Sequence, residues 1–475
     1  MPKTHQEIIE HLEIIDAASE GTGVGKVEGK VIFVDKAIPG DIITAGVYKK
    51  EKKNWRAEIL DIEVASPYRI QPICKHFGVC GGCSWQHFSY EGQLKFKEKY
   101  VRDTLGRIAG LELEKIEFLP IIGAKEIFGY RNKIEYSFST KRWLSPQEIQ
   151  SQEIFDTTKG VVGFHVPKYF DKVIDIQSCY LQPEEGNQIR NAIREYAHRH
   201  HLSFYNIKEN QGFLRSLILR RAGNNWMVIL CTGTPEREPV DKLFKYLQEC
   251  FPFIQSFIWV YNPKLNDSYT DLPYEVWGNT QPFLVERLGK YQFQISPLSF
   301  FQTNTYQAEN LYRAIANYIK DKKKLIYDLY CGTGSIGIYI SEKAEQIIGI
   351  EYSASSIVDA RKNADLNGLS HLEFFVGDIA KLLNKQFFKK YGKPDLVIAD
   401  PPRSGIAPSV VNILLEANIP EIIYVSCNPA TQARDLQMLK QKYKILSVQP
   451  VDMFPQTAHV ENVVYLQAHA IIHTP

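Results

Sequence analysis

From residue 325 onward the sequence alternates. Runs rich in β-branched and aromatic residues, "LIYDLY", "QIIGIE", "LEFFV", "LVIAD" and "EIIYVS", are separated by stretches with helical apolar spacing. Strands at 325–330, 346–351, 372–376, 395–399 and 421–426, with helices between them and a closing pair near 445–452 and 460–467, predict a mostly parallel, doubly wound sheet. Ligands of such sheets bind beyond the carboxyl ends of the strands. The residues that end each strand are therefore the ones to read for chemistry.

The first strand runs into "CGTGSIG", where Gly332 and Gly334 permit a sharp turn and close approach of backbone to a ligand. The second ends in Glu351, 17 residues after Gly334, a carboxylate able to accept both hydroxyls of a ribose. Asp378 follows the third strand and Asp400 the fourth. There is no P-loop lysine and no third glycine in dinucleotide register, and Asp328 precedes the turn. The combination resembles class I S-adenosylmethionine methyltransferases, which implies a Rossmann-like methyltransferase domain over 297–475 with S-adenosylmethionine as cofactor.

"DPPRSG" (400–405) and "VSCNPAT" (425–431) narrow the methyl acceptor. Enzymes that methylate base amines often carry an aromatic residue after the Pro-Pro pair; here Arg403 stands there, against N-methylation. Cys427, at a strand end before Asn-Pro, points to carbon chemistry. C5 of uracil is too poor a nucleophile to take a methyl directly, but a thiolate added at C6 makes C5 carbanion-like. A base must then remove the C5 proton so that the thiolate can leave. His459 and Glu461 stand at strand spacing on one face, with Glu461 the first candidate and His459 the second. A cysteine alone in such a place is more often structural; its pairing with a methyl-donor site reverses that reading.

"SFFQTN" (299–304), "DLYCGTGSIG", "DPPRSG", "VSCNPAT" and "FPQTAHVE" together resemble the successive motifs of the RNA uracil-C5 methyltransferase family. The resemblance implies Cys427 as nucleophile, Glu461 as general base, and methyl-donor contacts at Gln302, Tyr330, Glu351, Asp378 and Asp400. Ser335 stands where some relatives have Asn. On physical grounds alone, Gln302 could equally cap the helix expected near 305–320. Cytosine-C5 methylation ranks lower because no cysteine follows Pro401-Pro402, and a non-catalytic RNA-binding factor ranks lower still.

The rest of the chain is organised differently. Residues 1–65 show short strand patterns (Val31–Val34, Asp41–Tyr48) broken by glycine turns, the mark of a small β-barrel, and resemble a TRAM domain that binds RNA. Residues 66–296 read as a central α+β domain with an antiparallel sheet, with helices at 91–109 and 185–200. It carries Cys74, Cys80 and Cys83 in C-x5-C-x2-C spacing, with Cys179 the natural fourth ligand. Four thiolates suit zinc or an iron–sulfur cluster, and His76 and His87 keep a mixed zinc site open. The family resemblance tips this to a [4Fe–4S] cluster and to 23S ribosomal RNA as substrate; transfer RNA is the alternative.

A net charge of +2 neither announces nor excludes a nucleic-acid partner. The basic runs at 48–56 and 95–102 read first as solvated faces. "FGYRNKIEYSFS" (128–139) sets Arg131 and Lys133 among aromatics, which suits phosphate contact and base stacking but also an ordinary half-buried strand. Eight cysteines in a chain with no secretion signal or membrane-length apolar run imply a cytoplasmic protein without a disulfide framework. The expected partner is RNA, with no DNA and no membrane, and the expected state is a monomer.

Overall fold

The computed structural model describes residues 4–52, 54–144, 146–151, 153, 155–156, 159–167 and 169–469. The chain forms two compact units. The first comprises residues 1–73, 83–125 and 306–475, and the second residues 74–82 and 126–305.

In the first unit, five strands (Glu7–Ala17, Gly23–Val27, Lys30–Asp35, Ile42–Lys50, Asn54–Val64) close into a barrel. Alternate residues, among them Leu12, Ile14, Ile32, Val34, Ile43, Ala45 and Val47, fill its interior. Closure removes the unpaired edges that would invite aggregation. In the basic run at 48–56, Lys50 lies over the Trp55 ring, 4.5 Å from its centroid, and Lys30 from a neighbouring strand lies over it at 4.3 Å; Lys53 lies outside the described residues.

The same unit holds an eight-stranded sheet, in the order Leu372–Val376, Ala344–Glu351, Lys323–Leu329, Leu396–Ala399, Glu421–Ser426, Glu461–Ala468, Tyr443–Val451, Glu117–Phe118. The first five strands are parallel, as the alternating sequence predicts, and Glu461–Ala468 runs antiparallel to its neighbours. Strand order reverses beside Lys323–Leu329, the switch point at which such sheets open a crevice.

Two expectations change here. Glu117–Phe118, assigned by sequence to the central domain, pairs in parallel with Tyr443–Val451 and completes the C-terminal sheet. Helix Tyr90–Ala109 also leaves the central domain: its buried Val101, Leu105 and Ala109 join Ala433, Leu436 and Leu439 in one core. Ser89 caps it by accepting from Gly92 N, and Gly110 ends it at φ 62°. Its basic run is no simple solvated face either: Lys97 is fully buried and ion-paired with Asp452 at 2.6 Å.

The second unit is built on a seven-stranded sheet, in the order Glu275–Val276, Ile254–Tyr261, Asn225–Thr232, Leu214–Ala222, Lys133–Ser139, Val161–Val166, Tyr169–Asp175. All its pairs are antiparallel except Asn225–Thr232 with Ile254–Tyr261, which helix Arg237–Cys250 connects. Ile189 and Ile193 of helix Glu184–Arg199 and Leu243 and Phe244 of Arg237–Cys250 pack into the same core as Leu217, Leu219 and Val228. The expected α+β character with a mainly antiparallel sheet is present.

Candidate active site

Between strand Lys323–Leu329 and helix Ser335–Tyr339 the backbone takes positive φ three times, at Tyr330 (62°), Gly332 (53°) and Gly334 (75°). A Cβ at Gly334 would stand 3.0 Å from the Phe374 ring and 3.2 Å from Ala360 Cβ, so this position needs glycine for both conformation and space. Tyr330 accepts the left-handed conformation without that excuse, a local strain of the kind that gathers at binding sites. Cys331 in the same turn is buried, and a Cβ on Gly349 would come within 2.9 Å of its sulfur. It is a packing residue.

Glu351 closes over this turn. One carboxylate oxygen accepts from Gly332 N at 3.2 Å and the other from Ser353 N at 2.9 Å. Asp378 ends the next strand connection and caps a short helix by accepting from Ala380 N at 2.9 Å. Asp400, after strand Leu396–Ala399, has its carboxyl pushed above the ordinary carboxylate range by burial. Ser335 shares a 2.8 Å hydrogen bond with the Tyr312 hydroxyl, which fixes both at the start of the helix.

Sequence reading noted Asp328 only as the residue before the turn. It is wholly buried; one carboxyl oxygen accepts from Gly337 N at 3.0 Å and the other has no hydrogen-bond partner among the described residues. Burial, with Asp400 and Glu351 adding to it, pushes its carboxyl up to about 7. An acidic residue inside an otherwise apolar strand was the available signal.

Cys427 follows strand Glu421–Ser426 and is half-buried. Asn428 caps helix Pro429–Leu439 by accepting from Ala430 N at 3.1 Å. Asn428-Pro429 therefore starts the helix rather than merely breaking the strand, proline at the first helical position losing no needed hydrogen bond. Asn428 Nδ2 and Thr431 Oγ1 both donate to Arg403 O at 3.1 Å, tying the loop after Asp400 to the cysteine turn.

The antiparallel register ends with Ser426 paired to Asn462, so Cys427 follows that last pair on one strand and Glu461 adjoins it at the start of the other. Gln432 locks this end: its side chain donates to Tyr424 O and Asn462 O and accepts from Asn462 Nδ2 at 2.7 Å. Burial first, then the charges of Glu461 and Asp400, push the Cys427 thiol up to about 11, while Arg403 pulls it down. The Glu461 side chain is buried, and burial together with Asp400 raises its carboxyl. His459, expected on the same strand face, instead precedes the strand, is exposed, and lies 3.3 Å from the Arg403 guanidinium.

Turn, glutamate, aspartates, thiol and buried carboxylate thus meet at the carboxyl edge of one sheet. Gln302 does not fall in this unit. It belongs to the second, where its carbonyl accepts from Asn132 Nδ2 at 2.9 Å. Arg131 and Lys133 also lie there. Lys133 sits directly across from Arg220, and burial and the neighbouring arginines lower its ammonium pKa.

Of the cysteines, Cys74, Cys80 and Cys179 belong to the second unit and Cys83 to the first. Burial, together with the charges of Cys179 and Cys74, pushes the Cys80 thiol up to about 12. Such thiols ionise readily only with a cation to compensate them, so the donor chemistry suits a thiolate-bound metal. Among the described residues, however, no three His, Cys, Asp or Glu side chains are gathered closely enough to hold a metal ion.

Sheet order, turn and acidic strand ends define a Rossmann-like methyltransferase domain. The family model described as tRNA (Uracil-5-)-methyltransferase matches residues 284–469. An uncharacterised RNA methyltransferase of Bacteroides thetaiotaomicron is 43% identical over 95% of this chain and 99% of its own length. One of Porphyromonas gingivalis is 40% identical over 96% and 99%. The crystal structure of the Pyrococcus abyssi tRNA (uracil-54, C5)-methyltransferase in complex with S-adenosyl-L-homocysteine matches with a TM-score of 0.72 at 31% identity, over 96% of this chain and 100% of that one. The chain belongs to the RNA uracil-5-methyltransferase family, whose members transfer the methyl group of S-adenosylmethionine to RNA.

Proposed function

We propose that this enzyme methylates C5 of a uridine in 23S ribosomal RNA through a covalent bond between Cys427 and C6 of the base. S-adenosylmethionine supplies an electrophilic methyl group on a sulfonium. Glu351 would hold the ribose hydroxyls of that donor, with Tyr330, Asp378, Asp400 and Gln302 as further contacts. Cys427, having given up its proton, adds to C6 as the thiolate; the electron pair of the C5–C6 double bond moves to C5, which takes the methyl, and the donor would leave as the neutral thioether S-adenosylhomocysteine. Glu461 then removes the C5 proton; the pair left behind rebuilds the double bond and expels the sulfur as thiolate.

The observation that carries this reading is that Cys427 and Glu461 adjoin the last pair of two antiparallel strands at the open end of the sheet, where the charge of Glu461 acts on the thiol. A carboxylate whose pKa is raised toward neutrality is a better proton acceptor than an exposed one. The target base must be unstacked to reach the thiol, which favours loop or single-stranded RNA. The N-terminal barrel, read as a TRAM domain, and the strand carrying Arg131 and Lys133 would hold that RNA. Cys74, Cys80, Cys83 and Cys179 would hold a [4Fe–4S] cluster, or zinc, with a structural role because the methyl transfer moves no net electrons.

Transfer RNA is the second reading, supported by the full-length likeness to a transfer-RNA enzyme. Labelled S-adenosylmethionine with 23S ribosomal RNA and transfer RNA from a strain lacking the gene decides between them. The proposal expects 5-methyluridine in the 23S molecule. Label in transfer RNA alone would replace the substrate while leaving the chemistry, and label in 5-methylcytidine would overturn both. Cys427→Ser should lower methylation by about 10³-fold or more while S-adenosylmethionine still binds.

A further inference from the structure

The loop that leads into Glu461 is held from outside its own sheet. Asp452 accepts from Lys97 Nζ at 2.6 Å, the Tyr90 hydroxyl at 2.9 Å and Phe454 N at 3.1 Å, while its carbonyl accepts from Gln307 Nε2 at 2.8 Å. Ala458 N donates to Ser84 Oγ at 3.1 Å. Between these anchors stands Gln456, a non-glycine residue at φ 69°. Such a conformation persists only where the surroundings over-determine it.

The surroundings here are Trp85 and Gln93. Trp85 N donates to Gln456 O at 3.0 Å. The Gln93 side chain is fully buried; its oxygen accepts from Gln456 N at 2.9 Å, and its nitrogen donates to Phe88 O at 2.8 Å and to Trp85 O and Gln456 Oε1 at 3.1 Å. One side-chain amide thus binds Gln456 through both backbone and side chain, and also fixes the turn that enters the helix. On its far side Glu461 is fixed by the strand ladder and Gln432. On its near side it is fixed by this loop.

We propose that Gln93 is a positioning residue for the proton-abstraction step: by holding Gln456 it sets where the Glu461 carboxylate meets C5. The proposal rests on the reading of Glu461 as the base. Addition of Cys427 and methyl transfer both precede that step and do not use Glu461. If the loop loosens, the C5 proton stays on, the C5–C6 double bond cannot re-form, and the sulfur–C6 bond persists. The enzyme then stalls as a methylated covalent adduct on ordinary uracil RNA.

The test uses Gln93→Met, similar in size but without hydrogen bonds, in the full chain. Gln456→Gly, which tolerates positive φ but frees the loop, serves as a second variant should the first fail to fold. For both, turnover should fall by about 10–100-fold with kcat/KM little changed, because the steps up to methyl transfer are untouched. Covalent enzyme–RNA complex on unmodified uracil RNA, resolved on a denaturing gel, should rise well above wild type. The rate of adduct formation on 5-fluorouracil RNA, which reports only the earlier steps, should stay within about twofold. A merely structural role would lower adduct formation and turnover together, and that result, or no change in either, overturns the proposal. Glu461→Gln run in parallel separates the two readings. If it fails to accumulate adduct, the base assignment falls and the inference with it; if it accumulates adduct and the Gln93 and Gln456 variants do not, the positioning role alone falls.

Discussion

At the scale of single residues, the site is a set of carboxyl groups held away from water. Asp328 illustrates the consequence. Its carboxyl lies at about 7 in the folded chain against an ordinary 3.8, because burial disfavours its charge. The folded state therefore keeps a proton that the unfolded state has released, and stability is lost as pH rises from about 4 to about 7. Thermal melts of wild type and Asp328→Asn across that range should show the wild type losing more stability, with the variant's curve flatter; parallel curves would contradict the account. Cys427 was legible as sequence because a strand end before Asn-Pro at the ligand edge is a poor place for a packing thiol. Asp328 was not, since its importance lies in an oxygen with no hydrogen-bond partner among the described residues, which only the fold reveals. His459 was misjudged because strand spacing was extended two residues past the point where pairing begins.

Among the elements, the parallel strands and their helices followed from the alternating pattern, while the pieces joined over long sequence separation did not. Glu117–Phe118 is a two-residue strand with no periodicity to read, and its pairing with Tyr443–Val451 is purely tertiary. Helix Tyr90–Ala109 was recognised as a helix, but its partner was hidden because the basic run at 95–102 looked solvent-facing. Lys97 and Asp452 are both fully buried, so Lys97→Met leaves an uncompensated buried charge and should destabilise the protein by about 3–5 kcal/mol. Replacing Asp452 as well, with Asn, should recover part of that loss in denaturant melts; no recovery would mean the pair is not the cause. Asn428 serves two elements at once, capping helix Pro429–Leu439 and holding the Arg403 carbonyl. Asn428→Ala should cost about 1 kcal/mol of stability and lower turnover by a larger factor than that loss explains.

For the molecule as a whole, the division into two units recasts the cysteine motif, since Cys83 falls with the barrel and the methyltransferase sheet and the other three cysteines with the second unit. Anaerobically purified wild type should contain iron and sulfide, and Cys80→Ala should lose both; zinc in their place would identify the alternative metal, and neither would remove the cluster from the account. No helix among the described residues is long and apolar enough to cross a membrane. The central claim is the temporary bond between the enzyme and its base, and the most direct measurement is capture of the whole enzyme on RNA carrying 5-fluorouracil at the target position, with S-adenosylmethionine present. Fluorine cannot leave as a proton, so a covalent complex should form, carry one transferred methyl, and map by mass spectrometry to Cys427. A full round of methylation with no complex, or a complex undiminished in Cys427→Ser, would contradict it.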